Sequence, residues 1–528
     1  MHMGQIPSPN RVRMLKCPYI YTIVSNPYPS GSWRLVGDIN NSLGDILLEP
    51  VLIHFDFLLF FLNLVAISAM ASTISKDETR AMFASALSEM YRREVPQYGT
   101  LLELVSDINN RNSYPDGVST GAALQNQPRI EVERHGAIRL GKPEELATMR
   151  RLFAIMGMHP VGYYDLTVAG LPVHATSFRP ISHASLSKNP FRVFTSLLRL
   201  DMVSEEGDLR ARAREILDQR QIFTPRCLEL LEELESNESY PREKAEELLQ
   251  EALETFRWHK STTVDKDTYQ ALQAAHPLVA DVVCFRGPHI NHLTPRVVDI
   301  EAAQIEMQKR GLHAKDRIEG PPVMKCPILL RQTSFLALEE QITFSDGTHQ
   351  ADGKHKARFG EIEQRGMALT PKGRRLYDEL MGRFRRSGDS HQDQTGPDSS
   401  PGDDILLREI FKEFPDNLDA LRREKLAYFR YHVQTPSATS DNRDLDGLVE
   451  AGIIQVEPIT YEDFLPISAA GIFRSNLGSM CANSKTANSD RSAFERALGC
   501  TVQSEFEVYE SIQKRSVEEC WEMLKSIN

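Results

Sequence analysis

The chain has 528 residues, a formal net charge of -12 and a pI near 5.8, with 25% charged and 41% hydrophobic residues. By length alone it can bury large cores and make about three domain equivalents, and its acidity offers no general attraction to a phosphate backbone, so nucleic-acid binding is disfavoured. Cys17, Cys227, Cys284, Cys326, Cys481, Cys500 and Cys520 form no CxxC pair, which leaves a disulfide framework and a structural zinc knuckle without support and points to a reducing, cytoplasmic setting.

Residues 1–70 read as a poorly structured N-terminal extension: a polar lead rich in Pro and Gly, then an apolar run from Ile46 to Ala69. The uninterrupted apolar part falls short of the roughly 20 residues of a spanning helix and the run carries Glu49, His54 and Asp56, so no stable membrane insertion is expected. From Ser75 the pattern becomes regular. Helical spacing of Met82, Phe83, Leu87 and Met90 predicts a helix over Asp77–Arg93, and Leu101, Leu102, Leu104 and Val105 predict another over Tyr98–Ile108. A strand follows in Arg129–Arg139. Pro143–Gly157 is then a helix with acidic residues in its first turn and Gly at its end. Tyr163–Leu166 and Leu171–Pro180 read as strands around a Gly turn, and Phe191–Leu200 as a further strand or short helix.

Between Glu205 and Trp258 the chain is helical and charged, with a break near Asn237–Pro241, as expected of an insertion over about 205–275. Val279–Phe285 reads as the next strand, and Asp299–Arg310 as a helix ending at Gly311, which repeats the earlier strand-then-helix order. These elements define a core over 71–385. Residues 386–404, rich in Ser, Gly, Asp, Gln and Pro, predict a flexible linker. Residues 405–528 form a C-terminal helical segment, with helices over 404–430 and 505–526.

Three stretches carry candidate chemistry. In an extended strand His135 and Arg139 share one face, so a possible metal ligand lies two pleats from a guanidinium able to hold a carboxylate. In His289–Asp299, the residues Ile290, His292 and Thr294 would share a strand face, with His289 on the opposite one as a surface or supporting group. In Arg358–Gly366, the carboxylates of Glu361 and Glu363 share a face. Taken singly, each has an ordinary explanation: a solvated strand, a hydrogen-bonded core histidine, carboxylates paired with Arg358 or Arg365. Together they give two histidines and a carboxylate, the donor set of mononuclear non-haem Fe(II) oxygenases; zinc in the same ligands would instead serve hydrolysis or isomerisation. The order of strands, helices and ligands fits an α+β fold of paired βαβββ modules enclosing a metal site, with inserted and flanking helices.

His292-Leu-Thr with the helix that ends at Gly311, and Glu361-Ile-Glu-Gln-Arg365, resemble the ligand strands of the vicinal oxygen chelate superfamily. The Glu-Ile-x-Gln-Arg pattern is similar to the metal-ligand strand of hydroxyphenylpyruvate dioxygenase and hydroxymandelate synthase, which favours Glu361 over Glu363. His135–Arg139, Gly162–Leu166, Leu171–Pro180, Arg358–Gly366 and Phe464–Phe473 together resemble the 2-oxoadipate dioxygenase/decarboxylase family, over roughly residues 75–525. The resemblance implies Fe(2+) held by His135, His292 and Glu361, with Arg139 on the substrate's carboxylate. It also implies substrate contact by Ile467 and Ser468, where Ile replaces the family's Val and adds a methylene to the pocket. The reaction it implies turns 2-oxoadipate and O2 into 2-hydroxyglutarate and CO2, in the degradation of lysine. The expected partners are a small 2-oxo diacid and O2, with no protein partner. The competing readings are a zinc or manganese isomerase or hydrolase of the same superfamily, and a non-catalytic protein that binds small acids.

Overall fold

The computed structural model describes residues 73–112, 127–203, 208–312, 314–315, 317–335, 337–345, 350–389, 401–434, 444–465 and 490–527. The extension 1–70, with its apolar run, and the expected substrate contacts Ile467 and Ser468 lie outside the described residues. Among the described residues no helix is long and apolar enough to cross a membrane.

The first layer starts at helix α1, Lys76–Glu94, and α2, Pro96–Asn112. Ser75 opens α1 with a reciprocal cap, its hydroxyl accepting from the Glu78 amide at 3.3 Å while the Glu78 carboxylate accepts from the Ser75 amide at 2.8 Å. Strand β1, Arg134–Leu140, follows, then helix α3, Pro143–Ile155, and strands β2, His159–Asp165, β3, Val173–Arg179, and β4, Arg192–Leu198. This is the expected β-α-β-β-β order. Between β2 and β3 the chain turns through a left-handed Gly170, at φ 81°.

β1 lies inside a five-stranded sheet of order β2-β3-β4-β1-β5, where β5 is Leu293–Pro295. It runs parallel to β4, with His135 opposite Arg192, and antiparallel to β5, with His135 opposite Thr294. Alternation along β1 sends Ile138 and Leu140 into a core with Phe83 and Leu87 of α1, Leu101 of α2 and Leu152 and Phe153 of α3. The opposite face, with Ala137, Val173, Ala175 and Phe194, packs against Leu278, Tyr428 and Tyr509.

The second module runs from β5 through helix α4, Ile300–Lys309, and β6, Leu330–Ser334, to a hairpin of β7, Glu339–Ser345, and β8, Gln350–Lys356, and ends in β9, Glu361–Arg365. β9 pairs antiparallel with β6, Glu361 opposite Ser334. Beyond β5, the Val297 amide donates to the Glu363 carbonyl at 2.8 Å, so the chain after His292 runs between β1 and β9.

Several sequence readings change. Gln127–Val132 is a short helix, so the strand expected over Arg129–Arg139 begins only at Arg134, and helices reach Asp389 and start at Pro401 on either side of the expected linker 386–404, of which 390–400 lie outside the described residues. Val279–Phe285 is no strand: Pro277 at the first helical position and the His276 side chain, which accepts from the Leu278 amide at 3.0 Å, start a helix over Pro277–Val283. The expected helical stretch 404–430 ends in a strand, Phe429–Val433, which pairs with Ile454–Pro458. Ile290 does not share a face with His292. Regular extended geometry begins only at Leu293, and a Cβ on Gly136 would lie 2.7 Å from Ile290 Cδ1 and 3.2 Å from the His292 carbonyl oxygen, so Ile290 packs on the helical side of β1. Glycine at 136 is what lets the His292 segment lie flat on β1.

A buried fork ties the C-terminal part to the first sheet. Arg179 on β3 donates to both oxygens of Asp463 at 2.7 and 2.9 Å, and the Tyr509 hydroxyl donates to the same carboxylate at 2.5 Å. Asp463→Ala leaves Arg179 buried without its anion and is expected to lower the unfolding free energy by about 3–5 kcal/mol. Denaturant titration checks this, and a loss below about 1 kcal/mol would contradict it.

Candidate metal site

His135 on β1, His292 just before β5 and Glu361 at the start of β9 meet in the buried seam between the two modules. One ligand atom from each lies within 4.8 Å of the others, and His135, His292 and Glu361 are 1%, 7% and 0% exposed. Each comes from a different strand region, so the site exists only because β1, the His292 segment and β9 are neighbours. Tyr91 of α1 reinforces that adjacency by sharing its hydroxyl between the carbonyls of Asn291, at 2.9 Å, and Phe359, at 2.8 Å.

Hydrogen bonds around the triad orient its lone pairs. Thr294 Oγ1 donates to Glu361 Oε1 at 3.2 Å; having spent its one hydrogen there, it accepts from His292 Nδ1 at 2.9 Å, which leaves Nε2 of His292 as the basic nitrogen. His135 has Nε2 3.2 Å from Glu361 Oε1 and Nδ1 2.9 Å from Glu363 Oε2, close charge contacts whose angles fall short of hydrogen bonds. Glu363 is further held by a two-pronged contact with Arg365, at 2.8 and 2.8 Å. Both of its oxygens are thus committed behind His135, whereas Glu361 faces the seam with Gln332 Nε2 donating to its Oε1 at 2.7 Å.

Burial pushes the His292 imidazole down to about 4, against the pull of Glu361, and keeps it neutral. Burial also works against charge on His135, but Glu363 and Glu361 beside it outweigh burial and raise its pKa. Burial would raise Glu361; His292 and His135 reverse that and hold it below the usual carboxylate range, as an anion. Among the described residues Glu361 Oε2 has no hydrogen-bond partner. A buried anionic oxygen lacking a donor, beside two imidazole nitrogens, fits a divalent cation.

The walls are aromatic. Phe464 packs edge-on to His135, ring centroids 4.9 Å apart, and Phe359 stacks on His292 at 4.7 Å. Arg139 lies on the same face of β1 as His135, 2% exposed, paired with the buried Asp281. His289 is no surface group: it is buried, its Nε2 3.4 Å from Asp281 Oδ1.

Asp281 and Gln332 carry no signal in the sequence, since each reaches the site from a distant element, whereas Phe464 is marked there only as the first residue of the matched stretch Phe464–Phe473, with no role of its own. Glu363 stands there as an alternative ligand or as a carboxylate paired with Arg358 or Arg365, and the structure bears out the pairing with Arg365.

A sequence model of the 2-oxoadipate dioxygenase/decarboxylase family matches residues 83–476. A 2-oxoadipate dioxygenase/decarboxylase of Escherichia coli (strain K12) is 53% identical over 470 residues, 85% of this chain and 99% of that protein. The one of Pseudomonas putida is 49% identical over 458 residues, 85% of this chain and 98% of that protein. The solved structure of hydroxyglutarate synthase from Pseudomonas putida in complex with 2-oxoadipate superposes with a TM-score of 0.77 at 47% identity, covering 86% of this chain and 99% of that one.

Glu363→Gln removes the anion behind His135 and is expected to weaken divalent-metal affinity by about 10–100-fold. Competition with a chelator measures it, and an unchanged affinity would remove Glu363 from the metal's support.

Proposed function

This chain belongs to the 2-oxoadipate dioxygenase/decarboxylase family, and on that premise we propose that it converts 2-oxoadipate and O2 to 2-hydroxyglutarate and CO2 at an Fe(II) held by His135, His292 and Glu361. The observation that carries this reading is the convergence of those three buried ligand atoms within 4.8 Å, on the sheet face that also bears Arg139. The overall reaction balances without an outside reductant: six carbons and seven oxygens enter, one oxygen of O2 ends in the new carboxylate and the other in the hydroxyl.

Fe(II) in a two-histidine, one-carboxylate site keeps positions open, so it supplies a Lewis acid for the adjacent oxo and carboxylate oxygens of the substrate and a redox centre for O2. The protein's own residues do the rest. Thr294 fixes the tautomer of His292, and the Glu363 carboxylate, 2.9 Å from Nδ1, places an anion behind the ring of His135. Arg139 takes a substrate carboxylate in its planar fork and sets which carbon faces the metal. Phe464 and Phe359 keep water from the seam, which strengthens each of these contacts.

Purified protein loaded anaerobically with Fe(II) is expected to consume O2 and release CO2 in equal amounts as 2-oxoadipate disappears, and a zinc-loaded sample to do neither. Substrate loss without O2 uptake would mean an isomerase or hydrolase instead. His292→Ala is expected to abolish metal binding. Arg139→Ala should keep the metal and lose about 10²-fold in kcat/KM; unchanged turnover would end its assigned role.

A further inference from the structure

We propose that Asp281 is the positioning residue for Arg139: it fixes the guanidinium plane so that the fork is ready for a substrate carboxylate, and thereby sets affinity for the diacid while leaving the metal site untouched. The inference rests on the reading of Arg139 given above.

Asp281 lies on the helix Pro277–Val283, outside both ligand modules, and is 3% exposed. Its Oδ2 accepts from Arg139 Nη1. Its Oδ1 meets His355 Nε2 at 3.0 Å and faces His289 Nε2 at 3.4 Å. The Tyr269 hydroxyl meets the other nitrogen of His355, Nδ1, at 2.8 Å. Trp258 blocks both imidazoles, lying edge-on to His289 at 4.7 Å and parallel to His355 at 6.0 Å between centroids. Asp281 is therefore gripped on the side away from Arg139 and cannot swing.

Asn291, with its amide turned so that both ends are satisfied, accepts from the same Nη1 of Arg139 at 3.0 Å and from His289 Nε2 at 3.3 Å. Nη1 carries two hydrogens, and these two contacts direct both. A guanidinium held through both hydrogens of one nitrogen has its plane fixed, and the rotamer freedom of a long side chain is spent before the ligand arrives. Burial favours the neutral acid at Asp281, but Arg139 and then His289 outweigh it and hold the carboxyl well below its usual range, so the anion persists. Asn at 281 replaces it poorly: its oxygen can still accept from Arg139 but carries no charge to pair with the guanidinium, and its amide nitrogen would face His355 Nε2, which would have to change tautomer against Tyr269.

The test measures anaerobic binding of 2-oxoadipate to the metal-loaded full-length protein by calorimetry, with metal content and thermal midpoint alongside. Asp281→Asn is expected to bind 2-oxoadipate about tenfold more weakly, with metal content unchanged, KM raised and kcat largely kept. In an Arg139→Ala background the same change should add almost nothing, because its effect passes through Arg139. His355→Phe, which loosens Asp281 while keeping the aromatic packing, should weaken binding about threefold and carries the test if Asp281→Asn fails to fold. Equal or tighter binding by folded variants would overturn the inference, as would an equally large loss without Arg139. A wild-type protein that does not bind 2-oxoadipate would overturn the substrate reading itself.

Discussion

The path Asn291–Val297 is held on both sides, and the site depends on that register. On one side the Asn291 amide donates to the Ala137 carbonyl at 3.0 Å and Thr294 sits opposite His135; on the other the Phe359 amide donates to the Asn291 carbonyl at 3.2 Å and the Val297 amide to Glu363. A one-residue slip on either side would turn His292 toward the helices and Leu293 into the seam. No single ligand could compensate, because the three come from segments far apart in sequence. Gly136 and Tyr91 both serve this register, one by absence of a side chain and the other by bridging two carbonyls.

Behind the ligands the protein buries an unusual amount of charge. Glu133 is met by Arg192 at 2.7 Å and Arg296 at 2.9 Å, and Arg129 reaches Glu462 at 2.5 Å, while Arg192 pairs with Glu462 and Arg365 with Glu363. Buried pairs of this kind contribute little net stability against an apolar replacement, and their loss one partner at a time is costly. Their effect here is orientation. The network ends on Glu363, which touches His135, and on the segment carrying Phe464, so the metal side of the seam has a rigid back wall. A second, separate set around Asp281 does the same for Arg139. The candidate metal ligands and Arg139, the proposed carboxylate clamp, are thus supported by different charges.

The sequence made the local geometry legible and hid the long-range part. Period-two alternation suffices to put His135 with Arg139, and Glu361 with Glu363, because a strand's faces are set by the backbone alone. The helices after each histidine strand are equally visible, with acidic first turns and glycine ends. The Pro277–Val283 helix was obscured by its run of Val, Ala and Asp, which suits a strand by composition; the proline and the histidine cap decide it. Gln332 and Asp281 acquire meaning only when β6 and that helix close around the seam, and nothing within a few residues of them marks it; Phe464 is marked only by the family resemblance of Phe464–Phe473.

In the proposed site His135, His292 and Glu361 hold one metal while Glu363 stands behind it. Anomalous diffraction at the iron edge, on crystals loaded with Fe(II) without oxygen, tests this directly. A single strong peak bounded by Nε2 of His135, Nε2 of His292 and a carboxylate oxygen of Glu361 is expected. A peak ligated by Glu363, or one away from the seam between the modules, would contradict it.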